Sequence, residues 1–173
     1  VVLGPWMARA LAHRRAVTPA QFLAERAVIA PLAAETRDDA IRRLAAAIAA
    51  SAAGTAAEPI ANAALARERE FGTGIGHGVA IPHVRLASLR DPLLAYGHSA
   101  AGLDWDAPDA EPVHHVFFFA SAADAADLHV QILAQIAQAL EPAENRRRLA
   151  AARDEREALS ILRSILASPS SAA

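Results

Sequence analysis

The run Val113–Ala120, VHHVFFFA, sets the tightest limit on what this chain can fold into. Its apolar part is continuous, where a strand with one wet face would alternate polar and apolar residues. It suits a central strand covered on both faces, and the rest of the chain supplies cover. Thr36 through Asp39 has the form of a capping box. The helix after it places Ile41, Leu44, Ala45 and Ile48 on one face, spaced i, i+3, i+4, i+7. Glu58-Pro59 starts a second helix that carries Ile60, Ala64 and Leu65 and ends near Arg69. Asp124 and Asp127 lead into a long helix, roughly 127–140, and two shorter helices follow near 143–152 and 156–167.

Further strands are expected at 28–32, where Pro31 marks an edge or a strand end, and at 93–97 after the Asp91-Pro92 turn. Thr18-Pro19 reads as the start of a short helix through about Ala24, Ser51–Thr55 as a turn and 104–109 as a polar loop. Alternating helices and strands point to an α/β layered domain. The length of 173 residues suits one such domain with a full core. A net charge of −2 gives no electrostatic case for nucleic acid, and the lack of cysteine excludes disulfides and thiolate metal sites. No apolar run reaches the length of a transmembrane helix.

The opening, Val1-Val2-Leu3-Gly4-Pro5-Trp6, is read in two ways. It is an N-terminal extension with a helix from Pro5 to about Arg15. Alternatively, Val1–Leu3 is the end of an upstream membrane helix, with Trp6 at the interface and Arg9, His13, Arg14 and Arg15 on the cytoplasmic side. Residues 1–17 are therefore set apart from a domain at 18–167 and a frayed tail at 168–173.

The chemistry concentrates in Thr73–His83, TGIGHGVAIPH. Gly74, Gly76 and Gly78 permit positive φ and let backbone N–H groups come close to an anion. Val79-Ala80-Ile81 follows, and Pro82 pushes Ile81 toward extended geometry. His83 is thus expected at the end of a short strand beside a glycine loop, its backbone stiffened by Pro82. A neutral imidazole near its ordinary pKa of about 6.5 is already a usable nucleophile.

His129 is second among the seven histidines. It lies in the first turn of the long helix, on the face of Ile132, Leu133, Ile136 and Leu140. It is therefore expected to point toward the sheet, near a helix N-terminus that favours anions. Arg67 and Arg69, near the end of the second helix, carry guanidinium forks of the kind that hold oxyanions, and either also suits a solvated helix face. Thr73 either offers its hydroxyl to an anion held by the glycine loop or caps the turn. His77 is expected at the surface. His114 and His115 are adjacent in a strand and face opposite sides. A P-loop is excluded because no lysine follows the glycines. A metal site through His83, His129 and His77 has no regular ligand spacing behind it.

The segment Thr73–His83 resembles the active-site segment of the type-2 enzyme IIA domains of the bacterial phosphotransferase system, the mannitol, fructose and nitrogen-regulatory family. The resemblance runs from about Thr18 to Leu166. Asp127-Leu128-His129 looks like its second histidine segment, with Val130 in place of the usual Leu, and Arg67-Glu68 like its arginine pair. The resemblance implies a three-layer domain with a mixed β-sheet between helices. It implies catalytic roles for His83, His129 and Arg67, and phosphoryl binding by Thr73, Gly74, Gly76 and Gly78. An HPr-type phosphocarrier or its nitrogen-branch counterpart would phosphorylate His83, which would pass the group to a IIB partner in sugar uptake. No metal or other cofactor is required in that scheme. The alternative is a phosphorylation-responsive regulatory domain, of nitrogen type or fused to a membrane transporter. Either reading implies a cytoplasmic location, tethered to the inner membrane if an upstream segment exists.

Overall fold

The computed structural model describes residues 16–167; the readings made above for the first fifteen residues and for 168–173 lie outside them. Six strands form one mixed sheet: β1 (Leu23–Ile29), β2 (Gly74–Gly76), β3 (Val79–Ala80), β4 (His83–Leu86), β5 (Leu93–Leu103) and β6 (Val113–Ala122). The order is β1-β5-β6-β3-β2, with β4 also paired to β6. β1 runs parallel to β5, β6 antiparallel to β5, and both β3 and β4 parallel to β6. Helices α1 (Arg37–Ser51) and α2 (Ala57–Glu70) cover one face. Helices α3 (Ala126–Leu140), α4 (Ala143–Ala150) and α5 (Glu155–Leu166) cover the other. This is the three-layer α/β arrangement expected above.

The central run behaves as its composition requires. Val116, Phe117, Phe118, Phe119 and Ala120 on β6 are all fully buried. Phe118 packs with Ile41, Leu44 and Ile48 of α1, while Phe117 and Phe119 pack with Ile132 and Ile136 of α3. A strand that buries successive phenylalanines on opposite faces has no wet side, so the alternating pattern is lost. The β1 edge carries exposed Glu25 and Arg26, charges that discourage further strand pairing.

Four local expectations change. The short helix after Thr18 is a 3-10 turn, Pro19–Phe22, and β1 starts at once, five residues earlier than expected. Pairing with β5 at Leu23, and again at Val28 and Ile29 after a register shift, holds the segment extended and outweighs the weak helical preference. β5 runs to Leu103, well beyond Gly97, because its antiparallel partner β6 continues to Val113. Only half of the capping box forms: Thr36 Oγ1 accepts from Asp39 N at 3.1 Å, but the Asp39 carboxylate pairs with Arg43 at 3.0 Å. Finally, β3 and β4 are two halves of one interrupted strand. Val79 faces His115 and His83 faces Phe119, the same offset of 36 residues on both sides of the gap. Pro82 has no N–H to give the ladder, so Ile81 falls in the gap and His83 opens β4 rather than ending a strand.

Among the described residues no helix is long and apolar enough to cross a membrane.

Candidate functional site

The gap before β4 shapes the environment of His83. Its Nδ1 lies 2.8 Å from the carbonyl oxygen of Ile81, two residues back across Pro82. A carbonyl only accepts, so Nδ1 carries the hydrogen and the lone pair of the neutral ring is on Nε2. The ring is half-buried. Burial lowers its pKa first; the bond to Ile81 opposes this, and the Arg67 charge lowers it further. The ring therefore stays neutral near pH 7, with its Nε2 lone pair free for nucleophilic attack.

A pocket of about 580 Å³ opens around it, lined from both helical layers. Ala63 and Arg67 come from α2, Val84 and Arg85 from β4, and Ala126, His129, Val130 and Leu133 from α3. The His83 and His129 ring centroids are 5.3 Å apart at an interplanar angle of 57°. His129 is only 5% exposed, and its Nδ1 lies 2.7 Å from Ser121 Oγ on β6. Burial, then repulsion from a proton on His83 and from the Arg85 and Arg67 cations, holds its pKa down to about 4. Arg67 stacks its guanidinium 4.8 Å over Phe71, a ring 64% exposed, while Arg69 is exposed and does not line the pocket. Of the two arginines left open by the sequence, Arg67 is the one beside His83.

Three of the seven expected site residues thus meet in one pocket: His83, His129 and Arg67. The other four do not line it. Gly76–Val79 is a tight hairpin turn between β2 and β3, with His77 at φ 55° and Gly78 at φ 73°. Two successive positive φ values are what a type I′ turn requires. Two of the turn's polar groups are already engaged. His77 N donates to Asp109 Oδ2 at 2.7 Å, and the Gly78 carbonyl accepts from His114 N and His115 N at 2.8 and 2.9 Å. The turn lies four residues up the β6 ladder from His83, roughly 13 Å at strand rise. A Cβ on Gly74 would meet Ala107 at 3.1 Å, so this glycine permits close packing against the loop after β5. Thr73 is buried, and its hydroxyl donates to Glu68 and accepts from Trp105 Nε1 at 3.3 Å. It neither faces the pocket nor has a hydrogen to spare for a phosphoryl oxygen. Thr73 fastens the hairpin to α2 through Glu68.

Residues 21–165 match the family described as "Phosphoenolpyruvate-dependent sugar phosphotransferase system, EIIA 2". The chain belongs to this family. This EIIA domain is 41% identical over 88 residues to a nitrogen regulatory protein of Pseudomonas aeruginosa, covering 51% of this chain and 57% of that protein. It is 37% identical over 100 residues to the fructose-specific EIIABC component of Bacillus subtilis, covering 58% of this chain and 16% of that much longer protein. In fold it matches the nitrogen regulatory protein IIA-Ntr of Neisseria meningitidis, with a TM-score of 0.77, 22% identity, and coverage of 83% of this chain and 97% of that one.

Three residues in or behind this pocket of the EIIA domain were not singled out by sequence reasoning. Arg85 had a readable signal: it stands two residues after His83, so in a strand it shares the His83 face. Glu68 was noted only as the neighbour of Arg67. Ser121 carries no local signal, because it meets His129 only when β6 and α3 are packed together. The reassignment of the glycines has its own test. Gly78→Ala is expected to lose about 1–2 kcal/mol of stability through its left-handed backbone, read by denaturant titration. If His83 is the reactive group of this pocket, its reactivity is expected to hold in that variant; a collapse in a folded variant would return the glycines to the site.

Proposed function

We propose that His83 Nε2 accepts a phosphoryl group from an HPr-type phosphocarrier or its nitrogen-branch counterpart and passes it to a IIB partner. The observation that carries this reading is the Nδ1–Ile81 carbonyl bond, which leaves the lone pair of a neutral ring on Nε2 inside a pocket shared with Arg67, Arg85 and His129. As the lone pair forms the new N–P bond, the donor's bond to phosphorus breaks and its electron pair returns to the donor. Nδ1 keeps its hydrogen and goes on donating it to the Ile81 carbonyl, whose oxygen stabilises the positive charge that builds on the ring. Arg67 and Arg85 would neutralise the equatorial phosphoryl oxygens, and catalysis is then positioning plus electrostatics. Val130, 67% exposed on the rim, and Phe71 would give a partner protein apolar contacts that shut out water.

The IIB assignment rests on the similarity to a component named EIIABC, and a purely regulatory readout rests on the similarity to a nitrogen regulatory protein. Adding a fructose-type IIB domain to the phosphorylated protein separates them: loss of label to IIB supports transport, and retained label supports regulation. The chemistry itself is tested by incubation with enzyme I, HPr and phosphoenolpyruvate, with peptide mapping expected to place the phosphoryl group on His83. Arg67→Gln is expected to slow acceptance about 100-fold, as removal of a preorganised oxyanion donor does, while Arg69→Gln leaves the rate unchanged. The reverse order in stopped-time labelling would remove Arg67 from the scheme.

A further inference from the structure

We infer that Ser121 is a positioning residue for His129: its hydroxyl donates to His129 Nδ1 and holds the ring in the tautomer that carries hydrogen on Nε2, the nitrogen left for the pocket. The proposal deepens the reading above and depends on it only for the consequence in phosphoryl transfer.

Ser121 is fully buried on β6, and its Oγ lies 2.7 Å from His129 Nδ1. It has no other hydrogen-bond partner among the described residues. A neutral imidazole offers one donor and one acceptor, so two arrangements are open. If the ring donated to Ser121, the serine's own hydrogen would be orphaned in a dry interior, at the full desolvation penalty of that group. If Ser121 donates, its only hydrogen is used and Nδ1 is satisfied. An oxygen with a spare lone pair is tolerated better than an orphaned donor. The ring is neutral, since burial and the cations around it hold its pKa to about 4. It also packs against two neighbouring rings, with Phe119 at 5.2 Å and His83 at 5.3 Å between centroids.

The two histidines are thereby set in opposite tautomers by what lies behind them. The Ile81 carbonyl accepts from His83 and leaves a lone pair on its Nε2. The Ser121 hydroxyl donates to His129 and leaves a hydrogen on its Nε2. One ring can attack phosphorus and the other can donate to a phosphoryl oxygen. The reversed His129 tautomer would aim a lone pair at that oxygen and repel it.

The test is nitrogen-15 NMR of the imidazoles at pH 7 in the unphosphorylated protein, with no donor or partner present. His129 is expected to show hydrogen on Nε2 and a bare Nδ1, and His83 the opposite. Hydrogen on His129 Nδ1 in the wild type overturns the proposal, whatever any variant does. In Ser121→Ala the His129 ring is expected to spread over both tautomers, and an unchanged ring also overturns it. Transfer through His83 is expected to slow about tenfold in Ser121→Ala, the worth of one oriented hydrogen bond, and to recover in Ser121→Thr, which keeps the hydroxyl. A wild-type rate in Ser121→Ala with a scrambled tautomer would sever the tautomer from catalysis. Because the spectrum needs no phosphoryl group, absence of label on His83 would sink the phosphoryl reading while leaving the tautomer assignment decided.

Discussion

Incubated with enzyme I, HPr and phosphoenolpyruvate, the wild-type protein is expected to gain one acid-labile phosphoryl group, and His83→Ala is expected to gain none. The effect should be complete because no other histidine in the described residues has what the reaction needs. His129 shares the pocket, but its Nδ1 is bonded to Ser121, and the proposed tautomer leaves hydrogen on Nε2. His98, His114 and His115 lie on the far stretch of the β5–β6 ladder, and none of them lines the pocket that holds Arg67 and Arg85; His115 Nδ1 is in addition bonded to the Tyr96 hydroxyl at 2.8 Å. His77 is exposed on the hairpin turn, away from Arg67 and Arg85. Intact mass before and after brief acid treatment reads the result directly. Label that persists in His83→Ala would exclude this ring as the acceptor. His83→Ala removes a half-buried side chain at the start of a short strand, so the fold should survive and the loss should be chemical.

The second large effect is on stability as the pH falls. His115 is 4% exposed, and burial, then the charges of His98 and His114, bring its pKa down to about 3. Its Nδ1 accepts from Tyr96, whose own pKa is raised by burial, so the phenol keeps the hydrogen it donates. His129 is brought down to about 4 by burial and its cationic neighbours. In the unfolded chain both titrate near 6.5. Between that value and the folded pKa the unfolded state binds more protons than the folded state, so stability falls as the pH falls. Each ring contributes a slope of about 1.4 kcal/mol per pH unit in that window, and two together remove roughly 5 kcal/mol between pH 6.5 and 4.5. Losses of that size approach the whole stability of an ordinary domain. Urea midpoints measured from pH 7 to pH 4.5 are expected to fall steeply. His115→Gln should flatten the slope by about one proton's worth. An unaltered slope in that variant would place the acid sensitivity elsewhere.

Much of the architecture was readable in the chain because single residues carried it. The unbroken apolar run at 113–120 called for cover on two faces, and the 3.6-residue spacing of Ile41, Leu44, Ala45 and Ile48 supplied one of the covering helices. The failures share one cause. β1 begins early and β5 ends late because neighbouring strands satisfy their backbones, and sequence windows do not see neighbours. The glycine loop misled for a related reason. Three alternating glycines mark positive φ and close approach, and both are present, but what approaches is Asp109, Pro112 and His114.

The site divides along the same line. His83 and His129 each had a local reason to be singled out, a proline-braced position and an inward helix face, while Arg67 was picked out only by the family resemblance, with Arg69 left open beside it. The sequence alone therefore determined which chemical groups are available, where each sits on its own element, and the layered class of the fold, because those follow from periodicity and side-chain type. Only the tertiary structure decided that these three share one pocket while Thr73 and the glycines are turned to structural work. It alone brought Arg85 and Ser121 beside them and chose Arg67 over Arg69. Those outcomes depend on contacts between residues far apart in the chain, where spacing along the sequence carries no information about distance in space.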